Sequence, residues 1–381
     1  MKMLRTLPLL AFVASLLAST ANVLTADWSP QAAARYLDER QKQWFEWKPA
    51  ASANGPCVSC HTGMPYLLAR PVLRRALKED QPTVYERGLM DRLRANVGSK
   101  PPGGLQDVEA IFAAMFLAQQ DARRAMSEPT QKAFEQLWAL QRTEAPAKGA
   151  WKWYAANLDP WEHPGSSYFG ASLAMLALGS TSADYQQRAD TRERASALSD
   201  FLAASADRPL HDRLGVLWAS STRPSVLSDA QRAMLIGEVF AKQQADGGWT
   251  LESLGPWTVH PDAPSATGSD SYATSFTAFV LGQAGIPPSH AGLSRALAWL
   301  RSHQDPTTGA WPAVSMNKRR PAGSMEALFM QDAADRVCVT RAPRTHAIAS
   351  DVSCGVSRHR STACQAQLSG MRTHSLLTKL R

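Results

Sequence analysis

Three times in this chain a glutamine is followed shortly by a Gly-x-Trp triplet. Gln141 precedes Gly149-Ala150-Trp151, Gln244 precedes Gly247-Gly248-Trp249, and Gln304 precedes Gly309-Ala310-Trp311. Each triplet comes after an amphipathic helical pattern, over residues 131–141, 230–243 and 293–303. After each tryptophan lies an irregular stretch, then a helical pattern of small and aromatic residues. These second patterns cover 166–178, 270–284, and a segment from Ser324 through Phe329, Met330, Asp332 and Ala333. Glycine permits backbone geometry that other residues resist. The indole can cover the end of the preceding helix, while its N–H and the glutamine amide satisfy backbone groups left open there. One amphipathic helix plus one nearly apolar helix cannot bury its own apolar surface, so such units must stack on one another. The expectation is an all-α chain with two concentric layers of helices.

The N-terminal part continues the helical pattern. Residues 32–47 form a helix burying Tyr36, Leu37, Trp44 and Trp47, broken by the Pro- and Gly-containing run 49–56. Residues 66–77 form another, with a kink or break expected at Pro71. Helices over 84–97 and 108–119 follow, separated by a turn at 100–104, and one more begins near Pro129.

Between the first two helices stands Cys57-Val58-Ser59-Cys60-His61, the attachment pattern of a c-type haem. Two thiols at this spacing can each add to a haem vinyl group along one porphyrin edge. The histidine then offers its imidazole to the iron as proximal ligand. The same cysteines also suit a redox-active disulfide or half of a zinc site. Zinc needs a second ligand pair, and residues 27–335 contain no other cysteine. Residues 1–26 read as a secretory signal peptide: Lys2 and Arg5 precede an apolar run over 7–17, and Ser19-Thr20-Ala21 offers cleavage. That run is too short for a membrane span; an uncleaved anchor is the alternative. Export to the periplasm agrees with haem attachment.

The formal charge is +8. Residues 336–381 hold eight Lys+Arg against one acid, Asp351, so nearly all the excess belongs to the tail. The folded body is close to neutral, and no nucleic-acid partner is expected. The tail also holds Cys338, Cys354 and Cys364 and loses the helical period after Asp335. It reads as a disordered or frame-shifted segment that replaces the end of the last helix.

The Gln…Gly-x-Trp turns resemble the QW repeats of squalene–hopene cyclases and related terpene cyclases, over roughly residues 133–334. More narrowly, the chain is similar to bacterial squalene-cyclase-like proteins with a haem motif near the N-terminus. The resemblance implies an α/α toroid over 27–335, truncated or distorted at its C-terminal end, whose inner helices surround a cavity. Asp159-Pro160-Trp161-Glu162, Trp249, Ser269 to Thr274 and Ser315-Met316-Asn317-Lys318 match its landmarks. The cyclases protonate their substrate with an Asp-x-Asp-Asp cluster, which this sequence lacks. Its nearest analogue, Asp270, is a lone acid, and an ordinary carboxyl does not protonate an alkene. Cyclase activity is therefore not expected. The haem motif is expected within the first repeat of the toroid, with 27–130 as a separable haem-bearing part as the alternative.

Acids recur near the starts of the apolar helices: Asp107, Glu109, Glu162, Asp270 and Asp332. They suit either a ring of carboxylates at a cavity mouth or ordinary helix capping. Asp270, Glu162 and Asp332 are the catalytic candidates, if the protein is an enzyme. Met115 and Met90 lead the candidates for a second axial haem ligand, ahead of Met126, His163 and His260; an open sixth position is the other option. Trp151, Trp153, Trp161, Trp249, Trp257 and Tyr272 suit an aromatic pocket for an isoprenoid-like ligand, or repeat-turn packing. The sequence thus points first to an exported protein with one haem c, working in electron transfer with a redox partner protein. Binding or chemistry on a hydrophobic ligand, with peripheral membrane contact, is the second reading. A structural toroid with a Cys57–Cys60 disulfide is the third.

Overall fold

The computed structural model describes residues 28–329, except 53–54, 60–61, 100–104, 123, 155–158, 161–162 and 205–206. The signal-peptide, turn and tail expectations at 1–26, 100–104 and 336–381 lie outside the described residues. Thirteen α-helices carry the described chain: α1 (Pro30–Glu46), α2 (Gly63–Ala76), α3 (Val84–Asn96), α4 (Gln106–Asp121), α5 (Glu128–Leu140), α6 (Ser167–Gly179), α7 (Ala183–Gln187), α8 (Ala189–Ala203), α9 (Leu210–Ala219), α10 (Asp229–Ala241), α11 (Leu251–Leu254), α12 (Ser271–Gln283) and α13 (Ala291–Ser302). The protein is all-α. Extended pairing among the described residues is confined to β1 (Ala51–Ser52) against β2 (Gly55–Pro56), antiparallel, with Ala51 opposite Pro56. No described helix is long and apolar enough to cross a membrane.

Local sequence sets the helix starts. Thr83 and Glu86 form a reciprocal capping box on α3, and Ser228 with Gln231 does the same on α10. Ser29 caps α1 ahead of Pro30. Composition then sorts the helices by burial. Every residue from Tyr168 to Leu178 in α6, and from Ser271 to Leu281 in α12, is buried. Helix α10 buries only Leu235 and Val239. A helix apolar on all sides needs neighbours on all sides, whereas an amphipathic one covers a surface. Accordingly α4 packs against α5 and α6, α6 against α9, α9 against α12, and α12 against α13. One continuous cluster of buried residues runs from Ala33 to Met316.

Helix α2 begins at Gly63, three residues before the expected start, and runs through Pro71 without a break. Proline there forfeits one backbone hydrogen bond. Ala69, Arg70 and Leu73 on either side are buried, and that packing keeps the helix whole.

The Gly-x-Trp turns share one geometry. Trp151 Nε1 donates to the Leu137 carbonyl at 2.8 Å, Trp249 to Val239 at 2.8 Å, and Trp311 to Leu300 at 2.6 Å. All three acceptors are carbonyls in the last turn of the preceding helix, where the regular i+4 donor is lost; those of Val239 and Leu300 also accept the C-cap amides of Lys242 and His303. The glutamine amide bridges its own turn to a second helix. Gln141 Nε2 donates to the carbonyls of Gly149 and Arg194, both at 3.0 Å. In the second turn Gln243 takes this role, donating to Gly247 at 2.8 Å and Gly292 at 2.7 Å. Gln244, the expected residue, is exposed and bonds Lys242 instead. In the third turn Gln304 donates to Gly309 at 2.9 Å and to Ser29 at 3.1 Å, so its second helix is α1.

Candidate functional site

The residues leading into α2 are fixed from several sides. After the β1–β2 hairpin, the Cys57 amide donates to the Ala50 carbonyl at 2.9 Å, and Trp44 Nε1 donates to the Cys57 carbonyl at 2.9 Å. Ser59 starts the helix: its carbonyl accepts from Met64 at 2.9 Å and its hydroxyl from the Thr62 amide at 3.3 Å. A Cβ at Gly63 would stand 3.1 Å from both Val58 and Leu89, so glycine allows the loop, α2 and α3 to meet. Cys57 is half-buried. It packs against an aromatic group in which Trp44 and Trp47 lie 5.0 and 5.2 Å from Phe329. Cys60 and His61 lie outside the described residues.

Several buried polar atoms on the bordering helices lack partners. Gln41 on α1 is 0% exposed, and neither amide atom has a hydrogen bond. Thr62 Oγ1 is also unpaired. Arg92 on α3 is 4% exposed; its Nη2 reaches Glu109 Oε1 at 3.4 Å, while Nε and Nη1 have no partner. Glu109 also accepts from Asn96 Nδ2. Burial pushes the Glu109 carboxyl above its usual range, against the pull of Arg92. Unsatisfied buried donors are costly. Farther along α2, Arg70 is ion-paired on both sides, although its Nη1 makes no well-aligned hydrogen bond. Arg70 holds Asp38 at 2.9 Å and Glu79 at 2.7 Å, and the Tyr66 hydroxyl lies 2.7 Å from both Asp38 and Thr83. Burial, then the Asp38 charge, pushes the Tyr66 phenol far up.

A second polar group joins the first turns of α9 and α12. His211 Nε2 lies 2.6 Å from the Tyr272 hydroxyl, and its Nδ1 lies 3.6 Å from Asp212 Oδ1. His211 is 0% and Tyr272 2% exposed, and His211 Nδ1 and Asp212 Oδ2 have no hydrogen-bond partner. Aromatic contacts run from here to two further helices, α6 and α4, through two loop tryptophans. The His211 ring is 4.9 Å from Phe276, 5.5 Å from Trp257 and 5.6 Å from Phe169; Trp153 is 6.2 Å from Phe169 and 6.1 Å from Phe112. Neither His211 nor Asp212 belongs to a sequence motif. The available signal was a His-Asp pair opening an apolar segment.

The other expected site residues are dispersed. Asp270 is the N-cap of α12, accepting from Ala273 at 3.0 Å and from Val314 at 3.2 Å. Burial raises its pKa, opposed by those backbone donors. Asp107 accepts from the Lys152 amide at 2.7 Å. Met115 is fully buried inside α4, and Met90 is half-buried on α3 beside Leu89. His163 caps a short 3-10 turn, and His260 is half-buried beside Asp262. Trp151 and Trp249 are committed to their turns, whereas Trp153, Trp257 and Tyr272 belong to the aromatic chain. Glu162, Trp161 and Asp332 lie outside the described residues. Among the described residues no three His, Cys, Asp or Glu side chains are grouped to hold a metal ion. An open pocket of about 1060 Å³ lies where α4, α5, α7 and α8 meet; it includes Met126 but no residue of the Cys57 loop. No protein-family model matches the chain, and no curated protein matches it significantly.

Proposed function

We propose that this chain is an exported c-type haem protein built on an α/α toroid, acting in electron transfer or redox chemistry. The observation that carries the reading is the Cys57-x-x-Cys60-His61 spacing directly before a buried helix. Cys57 and Cys60 would hold the haem through thioether bonds, and His61 would ligate the iron. When bound, the haem supplies one-electron redox chemistry. This chain's own residues do the holding and tuning. The half-buried Cys57 leaves its thiol within reach of a large planar group, and Trp47, Trp44 and Phe329 offer apolar ring surface beside it. The unpaired atoms of Gln41, Thr62 and Arg92 are the sort of polar lining that a bound group completes.

The toroid reading draws on the alternation of amphipathic and fully buried helices, and on the third turn's bond to α1. Gln304 reaches α1 as Gln141, after α5, reaches α8 and Gln243, after α10, reaches α13, the pattern expected of a ring that meets its own start. In that frame α1 and α2 form the first repeat, and the haem motif occupies its turn. The apparent signal peptide supports export, and a redox partner protein follows from the electron-transfer role.

Mass analysis of protein exported alongside haem-maturation machinery tests the reading. The expected product carries one covalent haem, lost in Cys57→Ser/Cys60→Ser; an unmodified wild-type mass contradicts it.

A second reading is favoured by one observation, the aromatic chain from Phe112 to Phe276. An isoprenoid-like ligand on the inner helices would find aromatic walls there. Extraction and mass analysis of lipids copurifying with the protein tests it, and no such lipid under several growth conditions counts against it.

A further inference from the structure

We propose that Arg92 anchors a propionate of the haem, an inference that rests on the haem reading above. Leu89 and Arg92 are three residues apart on α3 and share a face. Leu89 is the α3 side chain that meets Gly63 and neighbours Val58 of the motif, and Arg92 Cδ would lie 3.7 Å from a Cβ at Gly55. The same face of α3 therefore borders the chain both before and after Cys57.

Arginine carries five N–H donors and stays protonated. Arg92 is nine-tenths buried or more, yet its one ionic contact, Glu109 at 3.4 Å, is longer than a normal charge-assisted bond. Glu109 is shared with Asn96 and is itself disfavoured as an anion by burial, so it is a poor counter-charge. Nε and Nη1 are left without acceptors. A buried cation in this condition is costly unless an anion completes it. The propionates are the carboxylates a haem on Cys57 and Cys60 would bring to this part of the fold, and a carboxylate is the acceptor that a guanidinium matches best.

The test uses the full-length haem-loaded protein, with Arg92→Leu and Arg92→Lys beside wild type. The readouts are the midpoint potential and the propionate bending band in the resonance Raman spectrum. Removing a positive charge near the iron and its propionate favours the ferric form. Arg92→Leu is therefore expected to lower the potential and shift the propionate band. Arg92→Lys keeps the charge but loses the planar donors, so it should shift the band while holding the potential near wild type. If Arg92→Leu does not fold, the band in Arg92→Lys decides alone. A normal haem spectrum with the band unmoved in both variants overturns the Arg92 assignment and leaves the haem reading standing. A wild-type protein without a Soret band removes both. Haem-free Cys57→Ser/Cys60→Ser protein stabilised by acetate only when Arg92 is present, with the holoprotein band unmoved, assigns the arginine to a free carboxylate and also overturns the proposal.

Discussion

Ser29 and Gln304, 275 residues apart, hold each other by a reciprocal pair of hydrogen bonds: the Ser29 amide donates to Gln304 Oε1 at 2.6 Å, and Gln304 Nε2 donates to the Ser29 carbonyl at 3.1 Å. The rings of Trp28 and Trp311 pack beside them, 6.2 Å apart. The last Gly-x-Trp turn is thereby tied to the first helix. Gln304→Ala removes both bonds and a third to Gly309. A loss of about 1–3 kcal/mol is expected in urea unfolding. Gln243→Ala should cost a similar amount, and the exposed Gln244→Ala no more than about 0.5 kcal/mol. Equal losses at 243 and 244 would contradict the bridging role.

The same junction constrains Gly309. Its φ is +80°, and a Cβ there would stand 2.5 Å from the Ala32 carbonyl. Gly309→Ala meets both an unfavourable backbone conformation and a clash with a helix backbone, so a loss of at least about 2 kcal/mol is expected. Gly237 offers the contrast. It lies within α10 with open space where a Cβ would go. Gly237→Ala should stabilise by about 0.5–1 kcal/mol. Thermal unfolding of the two variants beside wild type checks both signs.

Tyr272 and His211 form a buried pair whose worth lies mostly in not being left single. Tyr272→Phe orphans His211 Nε2 in an interior that already leaves Nδ1 unpaired. About 1–3 kcal/mol of stability should be lost. In a His211→Leu background the same change should cost less, because the imidazole it would orphan is gone. A double-mutant cycle with no coupling would remove the pair from the account of the core.

Asp270 gives stability a pH slope of known sign. Burial raises its folded pKa above the ordinary aspartate range, so the native state holds this proton more tightly than the unfolded chain. Its contribution is therefore greatest at acid pH and is lost as pH rises from the ordinary range through the raised value. Asp270→Asn keeps a capping side chain but cannot ionise. The stability of Asp270→Asn relative to wild type should grow as pH rises across that window. Unfolding curves at a series of pH values check this, and a difference that shrinks with pH contradicts it.

The helical class and the Gly-x-Trp turns were legible because they depend on local chemistry. Glycines at φ +91°, +97° and +80° and indoles seeking a carbonyl leave a compact signature in the sequence. The choice between Gln243 and Gln244 was not legible, since the loop length varies and only the fold decides which amide faces Gly292. The α8–α9 pair was missed because it has no such turn: the two helices are joined by residues 204–209 alone. Pro71 misled because its local cost is smaller than the burial around it. The His211–Tyr272 pair joins residues 61 positions apart, and nothing local marks either partner. Nothing in the sequence singles out Arg92, and its want of acceptors is visible only once α3 is packed on the motif. The Cys57-x-x-Cys60-His61 motif, by contrast, is read wholly from sequence.

The visible spectrum of the protein, exported in cells that supply haem-maturation machinery, tests the central claim most directly. A Soret band that stays with the denatured chain, and a pyridine haemochrome of the c type, are the predicted result. Fully exported, folded protein with no Soret band would contradict it.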